Sequence, residues 1–246
     1  MTLRVIYEPK GRAKEYADLA VNLYRGCDHA CTYCYAPDVL HITPEAFVKP
    51  APRLILNALR RDADELAQRA EQRSILLCFT CDPYQRIDTY YELTRYALEI
   101  LLPRGLNVTI LTKGGLRSLR DVDLWRLYPK QITYATTLVF TDEAMRQRYE
   151  PHAAPTLERI EALQRAHLLG IPTWVSLEPV FSAKQTLDLI DATHLFVDEY
   201  KVGMLNHERP PVAIDWRAFG ESVTCHLLNL GKRFYIKDDL RRAMQG

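Results

Sequence analysis

The sequence predicts an α/β fold, a partial (β/α)6 barrel of the TIM type with parallel strands inside and helices outside. Three observations support this prediction. Short apolar runs rich in β-branched residues alternate with longer amphipathic stretches, and six such pairs can be counted. No Gly-x-Gly-x-x-Gly follows the first predicted strand, which favours a barrel over an open dinucleotide-binding sheet. Polar residues collect where the strands end, and this is where barrel enzymes place their chemistry.

The predicted strands share a bias toward Val, Ile, Leu and Thr. They are residues 20–24, 75–80, 107–111, 132–138, 173–177 and 195–202. The helices between them have apolar residues three or four positions apart. They lie near residues 52–72, 91–102, 119–127, 156–169, 185–190 and 216–230. Gly105, Gly170 and Gly231 follow three of these helices, where glycine suits a C-terminal cap.

Composition indicates an ordinary globular protein. The 246 residues carry a net charge of +1, with 48% hydrophobic and 26% charged residues, so no overall basic field indicates nucleic-acid binding. The first residues lack the apolar stretch of a signal peptide, and no segment is apolar enough to span a bilayer. We therefore expect a cytoplasmic protein without membrane contact. We also expect one domain over residues 1–246, whose C-terminal extension (232–246) runs from an extended segment into a short basic helix.

The most informative motif is a triplet of cysteines, Cys27-Asp-His-Ala-Cys31-Thr-Tyr-Cys34. In a reducing compartment such cysteines bind metals, catalyse reactions or are buried, and seldom form disulfides. Three thiolates are one fewer than a closed zinc site or a fully cysteine-ligated iron–sulfur cluster uses. The triplet therefore predicts a metal centre with one position left open for chemistry.

The spacing Cys-x-x-x-Cys-x-x-Cys, in the loop after the first strand of a βα barrel, resembles the radical S-adenosylmethionine (SAM) enzymes. Further motifs resemble the spore photoproduct lyase-like branch of that superfamily. In chain order they are Asn22-Leu-Tyr-Arg-Gly-Cys27, Tyr35-Ala-Pro37, Cys81-Asp-Pro-Tyr-Gln85, Leu111-Thr-Lys113, Arg120-Asp121 and Tyr149-Glu-Pro151. The resemblance implies an enzyme in which Cys27, Cys31 and Cys34, on a loop of residues 25–37, hold three irons of a [4Fe–4S] cluster. The fourth iron then binds SAM.

The same resemblance implies the reaction and its cofactor contacts. One electron from the cluster cleaves SAM to a deoxyadenosyl radical, which abstracts hydrogen from a substrate. An electron donor of the flavodoxin or ferredoxin type is then expected as a partner. The backbone of Tyr33 is expected to face the adenine, and Lys113 to pair with the SAM carboxylate. The other candidates implied for cofactor binding are Thr80, Asp82, and Thr136 or Thr137.

The resemblance leaves the substrate open. Nucleic acid is the first expectation, by analogy with the photoproduct lyases, and a protein, peptide or small metabolite is the alternative. The photoproduct lyases are longer and carry a later cysteine that returns hydrogen to the product radical. The late cysteine here is Cys225, which we expect to be buried on a helix. The branch implies lyase-type chemistry, but repair activity is not assigned.

Structural explanations compete with these assignments. A non-catalytic zinc-binding or regulatory protein would complete the cysteine triplet with His29 or His41, although no second ligand pair follows nearby. Cys78 and Cys81 form a Cys-x-x-Cys, a spacing that suits a redox pair or half of a second cluster. Positions three apart on a strand point to opposite faces, so unless the strand ends before Cys81 we expect these two cysteines to be structural.

Charged residues near the end of the chain also allow two interpretations. Glu178 and Lys201 are predicted to point inward from adjacent strands, either as an ion pair or as contacts to the cofactor or substrate. Asn206 follows the sixth predicted strand and is counted with the residues that line the mouth. The basic tail, with Tyr235, Lys237, Arg241 and Arg242, is expected to form a solvated helix face.

Overall fold

The computed structural model describes residues 3–205 and 213–245 and confirms the predicted α/β class. Asn206 lies outside the described residues. In chain order the strands of the described part are β1 (Leu19–Val21), β2 (Tyr24–Arg25), β3 (Ala51–Pro52), β4 (Ile75–Leu77), β5 (Val108–Thr112), β6 (Ile132–Thr137), β7 (Thr173–Leu177), β8 (Glu199–Val202) and β9 (Arg233–Ile236). Strands β1 and β4 to β9 form one parallel sheet in that order, and β2 pairs with β3 antiparallel.

The sheet contains one strand more than the sequence predicted. The extended segment of the tail is β9, which pairs with β8 in parallel. It therefore belongs to the sheet, and the helix that follows it is short, as expected. The predicted strand at residues 75–80 is shorter than expected, because β4 ends at Leu77.

Helices pack on the outside of this sheet. In the described residues they are α1 (Ala36–Leu40), α2 (Pro44–Phe47), α3 (Leu56–Gln68), α4 (Asp88–Tyr91), α5 (Leu93–Leu101), α6 (Val122–Leu127), α7 (Glu143–Tyr149), α8 (Thr156–Leu168), α9 (Ala183–Thr193), α10 (Trp216–Asn229) and α11 (Asp238–Gln245). Short 3-10 helices cover Gly11–Glu15, Leu102–Arg104 and Gly115–Asp121. None of the helices in residues 3–205 and 213–245 is both long and apolar enough to cross a membrane.

The strand register shows which side chains point into the interior of the barrel and which point toward the helices. Tyr134 packs against Trp125 of α6 with ring centroids 4.9 Å apart, so this side of β6 faces the helices. Thr136, two residues later, shares that side because side chains alternate along a strand. The register partners Thr137, Ser176, Lys201 and Tyr235 form one row on the opposite side. We call these four residues the inner row.

The N-terminal residues cover the open edge of the sheet at β1. The backbones of Tyr7 and Ala20 exchange two hydrogen bonds of 2.9 Å. Just before this bridge, the fully buried carboxylate of Asp62 on α3 accepts hydrogen bonds from the backbone N–H groups of residues 4–6. An unpaired buried carboxylate would be costly, so these bonds anchor the N-terminal segment firmly.

Candidate functional site

The cysteine loop starts from the short pairing of β2 with β3. Gly26 has a φ of +90°, and a Cβ at this position would stand 2.4 Å from the backbone oxygen of Phe47. Glycine is therefore required both for the conformation and for the close approach. The Cys27 N–H donates to the same Phe47 oxygen at 2.9 Å. The backbone thus determines the position of the first cysteine.

The motif Cys81-Asp-Pro-Tyr-Gln85, which follows β4, supports the cysteine loop from one side. Gln85 is completely buried, and its amide oxygen accepts from the Asp28 N–H at 2.9 Å. Its Nε2 donates to the Gly26 oxygen at 3.3 Å. The Asp28 carboxylate in turn accepts from the backbone N–H groups of residues 86 and 87. In the sequence this motif stood out only because it resembles a family motif. In the structure its hydrogen bonds hold the cysteine loop in position.

The segment after α7 holds the loop from the other side. The Thr32 N–H donates to the Tyr149 oxygen at 2.9 Å, and the His152 N–H donates to the His29 oxygen at 3.2 Å. These bonds explain the motif around Tyr149, whose role the sequence did not reveal. The loop between the first and third cysteines is consequently supported from two separate parts of the barrel.

The three thiols of the loop are largely shielded from solvent. Cys27 is buried, and Cys31 and Cys34 are half-buried. Burial raises the pKa of all three thiols, that of Cys31 to about 11 even though Lys113 opposes the effect. Because thiolates are the form that binds metals, loading this site must release thiol protons.

The donor groups around the loop fit a cluster better than a single zinc ion. Within the described residues, no three His, Cys, Asp or Glu side chains are arranged to hold one metal ion. His29 is buried, which lowers its pKa to about 4, and it faces Asp82 and Arg117. His41 is exposed at the end of α1. Three thiolates that bind separate irons need not converge on one point, so an iron–sulfur cluster fits this arrangement.

A buried ionic network borders Cys31. The Lys113 Nζ lies 3.7 Å from the Cys31 Sγ, 2.9 Å from the Tyr33 hydroxyl and 3.4 Å from the Glu150 Oε1. Glu150 also accepts from the Tyr33 hydroxyl and, at 2.6 Å, from the Arg159 Nη2. Burial raises the pKa of Glu150, but Arg159 and Lys113 outweigh this effect and lower it to about 2. Two cations share one carboxylate, so the network keeps one positive charge beside Cys31.

Asp82 joins the ends of β4 and β5. Its Oδ1 accepts from the Thr112 Oγ1 at 2.6 Å, and its Oδ2 accepts from the Lys113 N–H at 2.7 Å. Asp82 therefore positions the backbone of Lys113. Thr80 is half-buried, and its N–H donates to the Asn22 Oδ1 at 2.9 Å. Both residues lie in the turn after β4, whereas the sequence predicted that Thr80 is the last residue of that strand.

The two candidate threonines of β6 face opposite ways. Thr136 faces the helices, is fully buried, and donates from Oγ1 to the Thr112 oxygen at 2.5 Å. Thr137 belongs to the inner row. Of this pair, Thr137 is therefore the residue with a side chain on the interior side.

Glu178 belongs to a second polar cluster, at the end of β7. Its carboxylate accepts from the Tyr16 hydroxyl at 2.5 Å and from Lys237, and it lies 3.5 Å from Arg12. Lys237 is only 3% exposed, so the prediction that it lies on a solvated helix face is wrong. Lys201 donates to backbone oxygens of the N-terminal segment instead of pairing with Glu178. The carboxylate is thus paired within the barrel, but with partners the sequence did not indicate.

The sequence analysis missed an aromatic cluster beside Cys31. The rings of Phe140, Tyr149 and Phe181 pack with centroids 4.5–5.4 Å apart, and Tyr33 lies 5.7 Å from Phe181. Phe140 and Phe181 come soon after β6 and β7, and this position at strand ends is the signal that could have identified them. The cluster gives the cysteine loop an apolar wall.

One prediction about the remaining cysteines is wrong. Because β4 ends at Leu77, strand alternation does not place Cys78 and Cys81 on opposite faces, and their structural role stays a prediction. Cys225 lies on α10 as predicted, but it is exposed. A helix buries only one face, and the periodicity of α10 did not assign Cys225 to the correct one.

Comparisons with known proteins identify the family of the chain over a region that includes the cysteine loop. The sequence model of the Radical SAM superfamily matches residues 21–197. An uncharacterised protein of Acidianus two-tailed virus is 27% identical over 223 residues, which cover 82% of this chain and 72% of that protein. Its description names no activity.

Solved structures share the fold at low identity. A spore photoproduct lyase variant superposes with a TM-score of 0.71 at 13% identity, covering 96% of this chain and 79% of that one. Streptococcus suis SuiB bound to S-adenosylmethionine has a TM-score of 0.62 at 16% identity, covering 88% of this chain. The chain spans 46% of the length of SuiB, which has also been solved with its precursor peptide SuiA. At these identities the likeness shows the fold.

Proposed function

The chain belongs to the radical SAM superfamily, and from this premise we propose that it is an enzyme that binds a [4Fe–4S] cluster through Cys27, Cys31 and Cys34 and SAM beside it. When bound, the cluster supplies the electron that cleaves SAM to a deoxyadenosyl radical able to abstract hydrogen. The observation that carries the proposal is the loop itself. It presents three thiols within eight residues and is supported from both sides by other parts of the barrel.

Lys113 is proposed to bind the SAM carboxylate. It stands next to Cys31, and the network of Lys113, Arg159 and Glu150 has one cation in excess. A bound carboxylate would neutralise that excess in a site where an unpaired charge is costly. The Tyr33 hydroxyl accepts a hydrogen bond from the ammonium group of Lys113, and the Asp82 carboxylate accepts one from the Lys113 N–H, so both residues position Lys113. Thr137 is the inward-facing threonine proposed to contact the cofactor.

We assign Glu178 a different role from the one the sequence suggested. Tyr16, Lys237 and Arg12 already satisfy its carboxylate. Breaking these pairs to bind SAM would cost the buried Lys237 one of its two carboxylate partners, the other being Glu15, which is expensive. Glu178 is therefore proposed to join the two ends of the chain across the end of β7.

The proposal is tested by SAM cleavage. The protein would be reconstituted anaerobically with iron and sulfide and reduced with dithionite in the presence of SAM. Chromatography would then measure deoxyadenosine and methionine. We expect both products, dependent on dithionite. A folded protein that takes up zinc and cleaves no SAM would contradict the proposal and favour a zinc-binding or regulatory role.

A matched pair of cysteine variants tests the ligand assignment. Cys31→Ala should lose the brown colour of the cluster and all SAM cleavage, because one iron loses its thiolate. Cys225→Ala makes the same substitution at an exposed cysteine on α10 and should retain both. Undiminished cleavage by Cys31→Ala would remove this residue from the ligand set.

The role of Lys113 predicts a defect in binding. Lys113→Met should weaken SAM binding to the iron-loaded protein by about tenfold or more, because a charge-assisted hydrogen bond of about 1.5–3 kcal/mol is lost. Titration calorimetry would measure the affinity, and Lys130→Met at an exposed site is the control. Equal affinities in the two variants would show that the carboxylate binds elsewhere.

Nucleic acid is the substrate class that we propose first, with a lyase-type reaction. The support is the fold shared with spore photoproduct lyase, which has been solved complexed with a dinucleoside spore photoproduct. Because SuiB shares the fold and binds a peptide, peptides are the second class to screen. A flavodoxin- or ferredoxin-type protein is proposed as the electron donor, since each cleavage consumes one electron. Replacing dithionite with such a donor tests this step.

A further inference from the structure

The turn after β4 brings together two cysteines that the proposed chemistry does not use. β4 ends at Leu77, and Cys78 has a left-handed backbone with a φ of +63°. Residues with a Cβ rarely adopt this conformation. Here the Cys78 N–H is fixed by a 2.8 Å hydrogen bond to the Val21 oxygen. The chain then turns so that Cys81 packs against the hydrophobic cluster that contains Cys78.

The two thiols differ in their access to solvent. Cys78 is 4% exposed and belongs to the main hydrophobic core. Cys81 is half-buried and packs beside Cys27 and Phe47. Thiol–disulfide exchange requires that the attacking sulfur reach the oxidant. Cys81 is therefore placed to react first, and Cys78 is placed to react with the product.

We propose that Cys78 and Cys81 form a reversible disulfide, a two-electron redox site beside the cysteine loop, with low-molecular-weight disulfides as its oxidants. The Cys81 sulfur attacks one sulfur of the oxidant and displaces the other half as a thiol. The Cys78 sulfur then attacks the mixed disulfide and displaces the second half. One S–S bond breaks and one forms, and the two protein thiol protons leave on the two product thiols. The protein pair loses two electrons, and the oxidant gains them.

This site is independent of the proposed SAM chemistry, because neither thiol belongs to the triplet of Cys27, Cys31 and Cys34. The spacing also fits. The two cysteines lie three residues apart in one turn and pack in the same hydrophobic cluster, so forming the bond does not require two distant segments to meet. The triplet lies on a different loop of the chain, so the two sets of cysteines can be followed separately.

The sequence allows the pair to be followed on one peptide. Trypsin cleaves after Arg73 and Arg86, and residues 74–86 contain Cys78 and Cys81 and no other cysteine. The purified protein, before and after iron loading, would be equilibrated anaerobically with mixtures of reduced and oxidised glutathione. It would then be alkylated with iodoacetamide, digested and analysed by mass spectrometry.

The expected product is peptide 74–86 without alkyl groups and lighter by two hydrogen atoms. At a fixed concentration of oxidised glutathione, the ratio of this peptide to the doubly alkylated one should fall with the square of the reduced glutathione concentration, as a two-electron couple requires. The proposal is overturned if both cysteines are alkylated under all conditions. It is equally overturned if the pair forms cross-links only to the peptide that contains Cys27. Measuring the protein before iron loading keeps this result separate from failure to build a cluster.

Single variants test the order of the two steps. Cys78→Ser should stop at a glutathione adduct on Cys81, because no second thiol resolves it. Cys81→Ser should leave the buried Cys78 unmodified. Cys225→Ser removes an exposed thiol outside the pair and should form the disulfide as the unchanged protein does. Equal adduct formation on both single variants of the pair would contradict the proposed order.

Discussion

At the scale of single residues, Glu150 is the central group of the site. It is completely buried, yet it carries a charge because Arg159 and Lys113 flank it. A buried carboxylate with one cation would be a structural ion pair. With two cations and a hydroxyl donor from Tyr33, it also holds a charged lysine against the cysteine loop. One glutamate therefore determines where the positive charge of the site lies.

Glu150→Gln should destabilise the protein by about 3–5 kcal/mol, because Arg159 stays buried without its partner. The pKa of Glu150 is about 2 in the folded protein, below its ordinary value of 4.5. Its contribution is therefore complete above pH 4.5 and is lost as the pH falls toward 2, a loss of about 3 kcal/mol. Urea denaturation at several pH values would measure both effects. If the stability of Glu150→Gln fell as steeply with decreasing pH as that of the unchanged protein, Glu150 would not be the source of the acid sensitivity.

At the scale of elements, the cysteine loop is determined by its supports. Gly26 allows the loop to pass against the end of α2, and Gln85 bonds to it from the turn after β4. These contacts are hydrogen bonds with a backbone group at one or both ends, and such bonds are directional and tolerate little displacement. The loop is thus expected to present its cysteines in one arrangement before a cluster binds.

Gly26→Ala tests this support. The new methyl group would collide with the Phe47 oxygen, and the φ of +90° is itself unfavourable for alanine. Gly105→Ala is the matched control, because it has a φ of +76° with no atom within 4 Å of the added Cβ. The control should cost about 1–2 kcal/mol of stability, and Gly26→Ala should cost more and also lose bound iron. Equal iron contents after reconstitution would show that the loop does not need this glycine.

At the scale of the whole molecule, the two ends of the chain meet at the end of β7. The N-terminal segment contributes Tyr16, the tail contributes Lys237, and both bind Glu178. β9 extends the sheet on the same side, so the tail is part of the barrel. The interior is covered at this position by residues that are more than 200 positions apart in the sequence, Tyr16 and Lys237.

Replacing Lys237 should loosen the N-terminal segment and the C-terminal tail together. In Lys237→Met, Glu178 and Glu15 lose their shared lysine, and the free energy of unfolding should fall by about 3–5 kcal/mol. Arg242→Met, at a site that is 74% exposed, should change the stability little. Denaturation would measure the cost, and limited proteolysis should cut the N-terminal segment faster in Lys237→Met. Proteolysis at the same rate in the two variants would mean that the ends are held by other contacts.

The sequence by itself determined the fold class and located the cysteine loop. Alternating apolar runs and amphipathic stretches specify βα units, because strand and helix periods differ and each must bury one face. The glycines after three helices were placed correctly for the same local reason, since their positive φ is a property of the residue. The cysteine triplet could be identified from the sequence because its three members lie within one short loop.

The tertiary structure alone decided which groups meet. Glu150 pairs with both Lys113 and Arg159, which lie on different segments, and no periodicity encodes such a meeting. Thr136 and Thr137 were indistinguishable until the register showed which one faces inward. The position of Cys81 relative to Cys78 depends on where β4 ends. The physical reason is common to all three: local patterns report the preferences of neighbouring residues, whereas charge pairing, register and strand ends are settled by packing between segments distant in sequence.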